Sequence, residues 1–455
     1  MKTDNLELMT KEKPIKLLLK LGIPSIIMSL FNEINAIIDT VFLGQFVADE
    51  AVSAMSLVFP FFILVSAIAF LFSDGSSIAI GRYLGAKNIE KANSTFGSTI
   101  YISIIISVIL GIVGFVTFPH FLQIFNLDTR IMNYAKTYLT YLSLGIPIIV
   151  ITIILGKIVY TEGFTNVLLK ATFLQIVVNI ILNYIALAIL KVGILGTCIA
   201  TVFSFLVQGI YLYRFMRLGK MVIGFKKSTL KVTKAYFKEV IPLGMATFIT
   251  MTLLSLTLGL ESKVISTFGS SALAVQTITG NLFSATGSIA SGIMTASLVL
   301  MSYSVGAKDR ERFLKILKIS LVIIFTSTLI LNLPLVLGSS MVVKLFTSSK
   351  DILKTFTVPA LVYGISSPLI FTTNAILYAM QPINMEKTAT VMFTLQQIVF
   401  FIPLLFILKP YGFNFAVSAQ PISEIIGAVI TIMLVPLFLK KVNAVFKINT
   451  TNQEM

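Results

Sequence analysis

Tryptophan is absent from this 455-residue chain, cysteine and histidine occur once each (Cys198, His120), and only 12% of residues are charged. A single cysteine excludes a disulfide framework and any cysteine-based metal site, and a single histidine excludes a histidine cluster. Soluble globular chains carry about 25% charged residues, roughly twice the fraction found here. Without tryptophan, an interfacial anchoring belt must rest on Tyr, Lys and Arg. No GxxxxGK[ST] loop, zinc motif or nucleophile elbow occurs. The chain therefore does not read as an enzyme and implies no cofactor, and any work it performs needs a source of free energy other than bound ATP.

What is present is apolar: 56% of residues, with 36 Phe and 17 Met and a mean hydropathy of +0.95. Runs near the roughly 20 residues that cross a bilayer as a helix recur along the chain. They are continuous rather than alternating, which predicts helices and not a barrel. The first run follows a Lys-rich start, and "TVFLGQ" offers no small-residue cleavage site, so Leu17 onward reads as a retained span and not a signal peptide. Breaking the chain at polar or Gly/Pro-marked loops gives twelve spans, at 15–42, 51–80, 96–118, 131–155, 165–190, 193–217, 239–265, 271–300, 313–338, 352–380, 388–408 and 412–439. The expected fold is an all-α integral membrane protein of twelve transmembrane helices.

A cytoplasmic N-terminus places most basic residues inside: the N-terminal lysines, Arg82, Lys87 and Lys91, Lys157 and Lys170, Arg214 to Lys238, Lys308 to Lys318, Lys387 and the C-terminal lysines. Only eight of the 35 Lys and Arg then fall outside, as the positive-inside rule requires. This predicts a multi-pass protein of the cell membrane with both termini cytoplasmic. The net charge of +16 is then topology and attraction to anionic membrane lipids, not a nucleic-acid footprint.

The chain repeats itself. "KLGIPSIIMSLF" at the first span is echoed by "KEVIPLGMATFI" at the seventh, and "GRYLGAKNIEKA" after the second by "SYSVGAKDRERF" after the eighth, with Lys87 and Lys308 221 residues apart. Six spans per unit is an even number, so both units cross the membrane in the same direction, as parallel repeats about an axis along the membrane normal. The expected layout is a cytoplasmic tail (1–14), a first six-helix lobe (15–217), a basic cytoplasmic linker (218–238), a second lobe (239–439) and a cytoplasmic tail (440–455), an arrangement suited to alternating access. The chain is read as a monomer.

Polar residues inside the spans are the candidate functional groups, since a charge at the bilayer centre costs about 2.5–3.5 kcal/mol on insertion scales. In "NEINAIIDTVFLG", Asn32, Asn35 and Asp39 share one helical face and Glu33 lies about 100° from it. Two readings of Asp39 stand, a protonatable or cation-binding group and an interfacial acid at a helix end. Glu33 is either functional or a protonated acid bonded between packed helices. Aligning "DTVFLGQF" with "ESKVISTF" places Asp39 on Glu261, which is either a matching acid on the substrate path or an acid near the external loop. In the fifth span Asn179 and Asn183 are four apart, and Thr201 of the sixth lies within reach if the two spans are antiparallel neighbours; the three either form a site or hold the bundle together. Gln396, Gln397 and Glu424 face something other than lipid, and Asn35 and Gln396 join Glu261 as candidates for the substrate path. Phe- and Met-rich walls with a few acids suit bulky lipophilic cations.

The stretches "IPSIIMSLF…IIDTVFLGQF", "GRYLGAKN", "NIILNYIAL…GILGTCIATVFS" and "LFILKPYGFNFAVSAQPISE" resemble the multidrug and toxic compound extrusion (MATE) family of drug/cation antiporters over nearly the whole chain. The resemblance implies a V-shaped pair of six-helix bundles that exports small cationic or amphipathic compounds in exchange for H⁺ or Na⁺. It matches Asp39 to the family's first-helix aspartate, whose protonation is linked to substrate release, and Asn179 and Thr201 to partners in the same network, with Na⁺ near Asp39 as the alternative occupant. The chain departs from the family in carrying Asn183 where a second aspartate is common, which makes Glu33 the candidate for that second acid. It also carries Thr250 and Ser367 where the sodium-coupled branch has a glutamate and an aspartate, so that second-lobe site is missing. The alternative function within the superfamily is a lipid-linked oligosaccharide flippase or polysaccharide exporter. Such proteins tend to carry basic residues inside the cavity, whereas here nearly every Lys and Arg sits at a loop.

Overall fold

A computed structural model describes residues 8–121, 129–225, 234–344 and 350–451. Within them the chain forms helices and no strand, as hydrocarbon demands of a backbone that must satisfy its own hydrogen bonds. Twelve helices are long and apolar enough to span a bilayer: α1 (Pro14–Phe46), α2 (Glu50–Gly85), α3 (Ile89–Phe118), α4 (Thr129–Thr161), α5 (Thr165–Ile189), α6 (Ile194–Arg217), α7 (Tyr236–Phe268), α8 (Val275–Gly306), α9 (Arg310–Ser339), α10 (Thr355–Ile383), α11 (Glu386–Tyr411) and α12 (Phe413–Met433). Several exceed the apolar runs read from sequence. The 33 residues of α1 span about 50 Å at 1.5 Å per residue, so its ends pass beyond a hydrocarbon core of about 30 Å.

The repeat has a local physical basis. After α2, Lys87 takes a left-handed conformation (φ 58°) and Asn88 N–H bonds back to the Tyr83 carbonyl at 2.8 Å, closing the helix in the manner of a Schellman turn. Asn88 Oδ1 then accepts Lys91 N–H at 3.0 Å and caps α3. After α8, Lys308 (φ 60°), Asp309 N–H to the Ser304 carbonyl at 2.9 Å and Arg312 N–H to Asp309 Oδ1 at 2.8 Å do the same. The turns after α4 and α10 repeat at the same 221-residue offset, with Gly163 (φ 84°) and Asn384 (φ 60°) in the positive-φ position.

The described residues form two compact units, one of residues 8–11 with 27–248 and the other of residues 12–26 with 249–451. The sequence division puts all of α1 in the first lobe, whereas by contact its first half packs with the second unit, and the first half of α7 packs with the first. Small residues make both exchanges close. A Cβ on Gly244 of α7 would run into the Leu71 backbone of α2, and one on Gly292 of α8 would meet the Ile26 backbone 2.8 Å away on α1. Backbones that approach in this way are the usual basis of helix association in membranes.

A thirteenth helix, α13 (Val435–Thr451), occupies much of the stretch expected to be a tail. It buries Phe438, Val442 and Phe446, with Phe438 and Phe446 against Phe313 at the start of α9 and Arg310 Nε donating to Asn443 Oδ1 at 2.8 Å. Of the expected linker, 226–233 lie outside the described residues, as do 1–7 and 452–455 of the tails. Its first part is held by the first unit: Glu162 accepts the N–H groups of Val222 (2.8 Å) and Ile223 (2.7 Å), and Asn93 Oδ1 accepts that of Gly224 at 3.0 Å.

Candidate functional site

In the first unit α5 carries an amide ladder to the carboxylate of α1. Asn183 Nδ2 donates to Asp39 Oδ1 at 2.8 Å and lies 3.1 Å from Asn179 Oδ1. Both asparagines are fully buried. Four-residue spacing stacks their side chains on one helical face, and the helix changes to a π turn at Ile185–Ile189 directly after them. Such turns often occur at functional sites.

The neighbouring helices add further polar groups. Tyr138 of α4, 3% exposed, lies near the Thr201 side chain and stands in the field of the Asp39 carboxylate. Thr201 Oγ1 donates to the Thr197 carbonyl at 2.9 Å. Towards the other end of the α5–α6 seam, Gln175 Nε2 donates to Ser204 Oγ at 3.2 Å and Gln208 Nε2 to Thr172 Oγ1 at 3.1 Å. Asn179 Nδ2, Asn183 Oδ1, Thr197 Oγ1 and Asn35 Oδ1 are buried without a hydrogen-bond partner. Orphaned buried polar atoms each call for an explanation. Four of them on the helices around one carboxylate leave this polar cluster with unused hydrogen-bonding capacity.

Of the sequence candidates, Asp39, Asn179 and Asn183 are joined directly, and Thr201 is not hydrogen-bonded to them, its hydroxyl donating within its own helix. Asn35 lies on the Asp39 face of α1. Glu33 is exposed, and six residues before Asp39 it lies about 120° round the helix. Glu261, Gln396 and Glu424 belong to the second unit, where Glu261 is 3%, Gln396 3% and Glu424 8% exposed. Gln396 sits in the π turn Leu395–Phe400 of α11 and packs over Gly427, where a Cβ would overlap its side chain. Ser367 is engaged by Asn332 Nδ2 at 2.8 Å.

Sequence reasoning passed over two groups. Tyr138 lies in "YAKTYLTY", where nothing local distinguishes it from the two other tyrosines. Asp74 of α2 forms a buried ion pair with Lys157 of α4, Nζ to Oδ1 2.6 Å, although Lys157 reads as a cytoplasmic loop residue. "FSDGSS" was the available signal, an acid inside an apolar span.

Twelve spanning helices among the described residues, in two copies of a six-helix pattern, with a partly buried carboxylate bonded to a buried amide, are the architecture of a polytopic membrane transporter. The chain belongs to the MatE family, whose profile matches it twice, over residues 24–185 and 244–407, once in each repeat. It is 25% identical over 445 residues, 96% of each chain, to the multidrug export protein MepA of Staphylococcus haemolyticus. It is 22% identical over 345 residues to the probable multidrug resistance protein YoeA of Bacillus subtilis, covering 73% of this chain and 72% of that one. Its fold matches an outward-facing multidrug resistance MATE transporter of the MOP superfamily with a TM-score of 0.89 at 20% identity, over 98% of this chain and 99% of that one. A MOP superfamily transporter from Pyrococcus furiosus, described as having a binding pocket of reversed polarity, matches with the same TM-score and identity over 97% and 99%.

Proposed function

We propose that this protein is a secondary active exporter of small cationic or amphipathic compounds, working by alternating access and driven by inward movement of H⁺ at Asp39. The observation that carries the reading is the Asp39–Asn183–Asn179 chain, an ionisable group in the bundle with an adjustable set of hydrogen-bonding neighbours. In a membrane such a group marks an ion or substrate route by default. The export of drugs named for its relatives supports the substrate class, and the family's doubled profile match supports two lobes that alternate. The basic-residue distribution supports a cytoplasmic-membrane location with both termini inside.

Asp39 can exist in two states, and Asn183 can answer both. Its NH₂ donates to the carboxylate, and on amide rotation its carbonyl accepts from the carboxylic acid. Protonation removes the charge that a cationic substrate would pair with, so proton entry and substrate exit exclude one another at one place. In proteoliposomes with an imposed pH gradient, wild type should extrude ethidium and Asp39→Asn should not, with sodium present or absent. Gradient-driven efflux that survives in Asp39→Asn would remove Asp39 from coupling, and efflux that follows only a sodium gradient would replace the proton as coupling ion.

A further inference from the structure

We infer that the seam between α5 and α6 is the route by which the proton taken up at Asp39 leaves towards the cytoplasm, carried on water held by buried amides and hydroxyls and stopped at the inner end by a pair of leucines. The inference rests on the proton reading of Asp39 and supplies its path. On α5, spacings of three and four residues put Leu168, Thr172, Gln175, Asn179 and Asn183 on one face. On α6 the same spacings join Leu212, Gln208, Ser204, Thr201 and Thr197. The polar members of both stripes are at most 8% exposed. Two bonds across the seam set the helices antiparallel, Gln208 Nε2 to Thr172 Oγ1 at 3.1 Å and Gln175 Nε2 to Ser204 Oγ at 3.2 Å. The file reaches the carboxylate through Asn183 Nδ2, 2.8 Å from Asp39 Oδ1.

Helix association through polar side chains accounts for the middle of this seam but not for its ends. Near Asp39, Asn179 Nδ2, Asn183 Oδ1 and Thr197 Oγ1 are buried without a partner, and buried polar groups that the protein leaves over are the ones water serves. At the inner end the next positions on the two stripes are Leu168 and Leu212. A Cβ on Gly156 of α4 would stand 3.0 Å from Leu168 Cδ1 and 3.7 Å from Leu212 Cδ1, so both side chains crowd one glycine and close the seam with hydrocarbon. The repeat supplies an internal control. At the 221-residue offset α11 carries Phe393, Gln396, Phe400 and Leu404 in place of Thr172, Gln175, Asn179 and Asn183. If the polar stripe served only to hold two helices together, the second copy would need it as much as the first. In the transfer, the Asp39 carboxylic acid gives its proton to a water and becomes a carboxylate. That water passes a proton to the next, and one proton leaves beyond the leucines for each one released. The amides and hydroxyls hold the water by hydrogen bonds and stay neutral, and neither stripe carries a charged residue that would trap the proton.

The test follows protons in proteoliposomes of the full chain, loaded with a pH-sensitive dye, with and without ethidium. Gln208→Met keeps the length of the side chain and removes its hydrogen bonds, so ethidium-linked proton flux should fall at least tenfold. Gln208→Asn restores an amide and should recover most of the flux. Leu168→Ala/Leu212→Ala should do the opposite and leak protons down an imposed pH gradient without ethidium, at least threefold above wild type, and adding Gln208→Met should abolish that leak. Wild-type flux that Gln208→Met leaves unchanged, a leucine variant no leakier than wild type, or a leak that persists with Gln208→Met would overturn the route while leaving Asp39 as the coupling site. No ethidium-linked proton flux in wild type would overturn both. Should the leucine variant not fold, the two Gln208 variants decide alone: recovery in Gln208→Asn supports the route, and equal loss in both marks Gln208 as packing and overturns it.

Discussion

The Asp74–Lys157 pair gives the sharpest stability prediction. Their side chains are 7% and 14% exposed, with Nζ and Oδ1 2.6 Å apart, and no other hydrogen-bond donor among the described residues reaches that oxygen. Lys157→Met would leave Asp74 as an uncompensated buried charge, and breaking such a pair from one side costs about 3–5 kcal/mol. The double variant Asp74→Leu/Lys157→Met removes both charges and should recover most of that loss, because replacing a whole buried pair by apolar groups is often neutral. The protein suits an unusually direct assay. It has no tryptophan, and its one cysteine, Cys198, is 1% exposed, so a thiol-reactive fluorophore reports unfolding from a single site as temperature rises. The expected order of midpoints is wild type and double variant close together, with Lys157→Met lowest. A double variant at or below the single variant would refute the claim that the two residues compensate one another.

Other substitutions test separate parts of the account. Asn183→Leu removes the donor to Asp39; a hydrogen bond to a charged group is worth about 1.5–3 kcal/mol, so pH-driven ethidium efflux should fall roughly tenfold or more, and an unchanged rate would count against the amide ladder. Gly244→Ala should lower the unfolding midpoint, because its Cβ has only the Leu71 backbone to enter; a neutral result would show that α2 and α7 do not pack so closely. Lys87→Gly should raise the midpoint by the equivalent of about 1 kcal/mol or less, since a left-handed conformation costs an L-residue about 1–2 kcal/mol and glycine returns part of that through chain entropy. A lower midpoint would mean that the Lys87 side chain contributes more than its backbone costs.

The spans were legible because lipid imposes one rule on every segment, apolar length, and a single sequence displays it. The repeat was legible through "GAKN" and "GAKD" because a left-handed helix stop followed by a capping Asn or Asp is written into adjacent residues. Asn179 and Asn183 were legible as a pair because four residues make a helical turn. Which helix they face was not, since the Asp39–Asn183 bond joins positions 144 residues apart, and no local pattern encodes that distance. The same reason hid Tyr138, the partnership of Lys157 with Asp74, and the exchange of the first halves of α1 and α7 between units. The C-terminal helix was missed for a different reason: its apolar face is completed by Phe313, so the stretch by itself reads as a charged tail.

The most direct test of the central claim is proton movement itself. In proteoliposomes loaded with a pH-sensitive dye and held without an imposed gradient, an outward-directed ethidium gradient should drive protons in the opposite direction through wild type, and no such flux should appear with Asp39→Asn. Ethidium movement without proton movement in wild type, or equal proton flux in wild type and Asp39→Asn, would contradict exchange at Asp39.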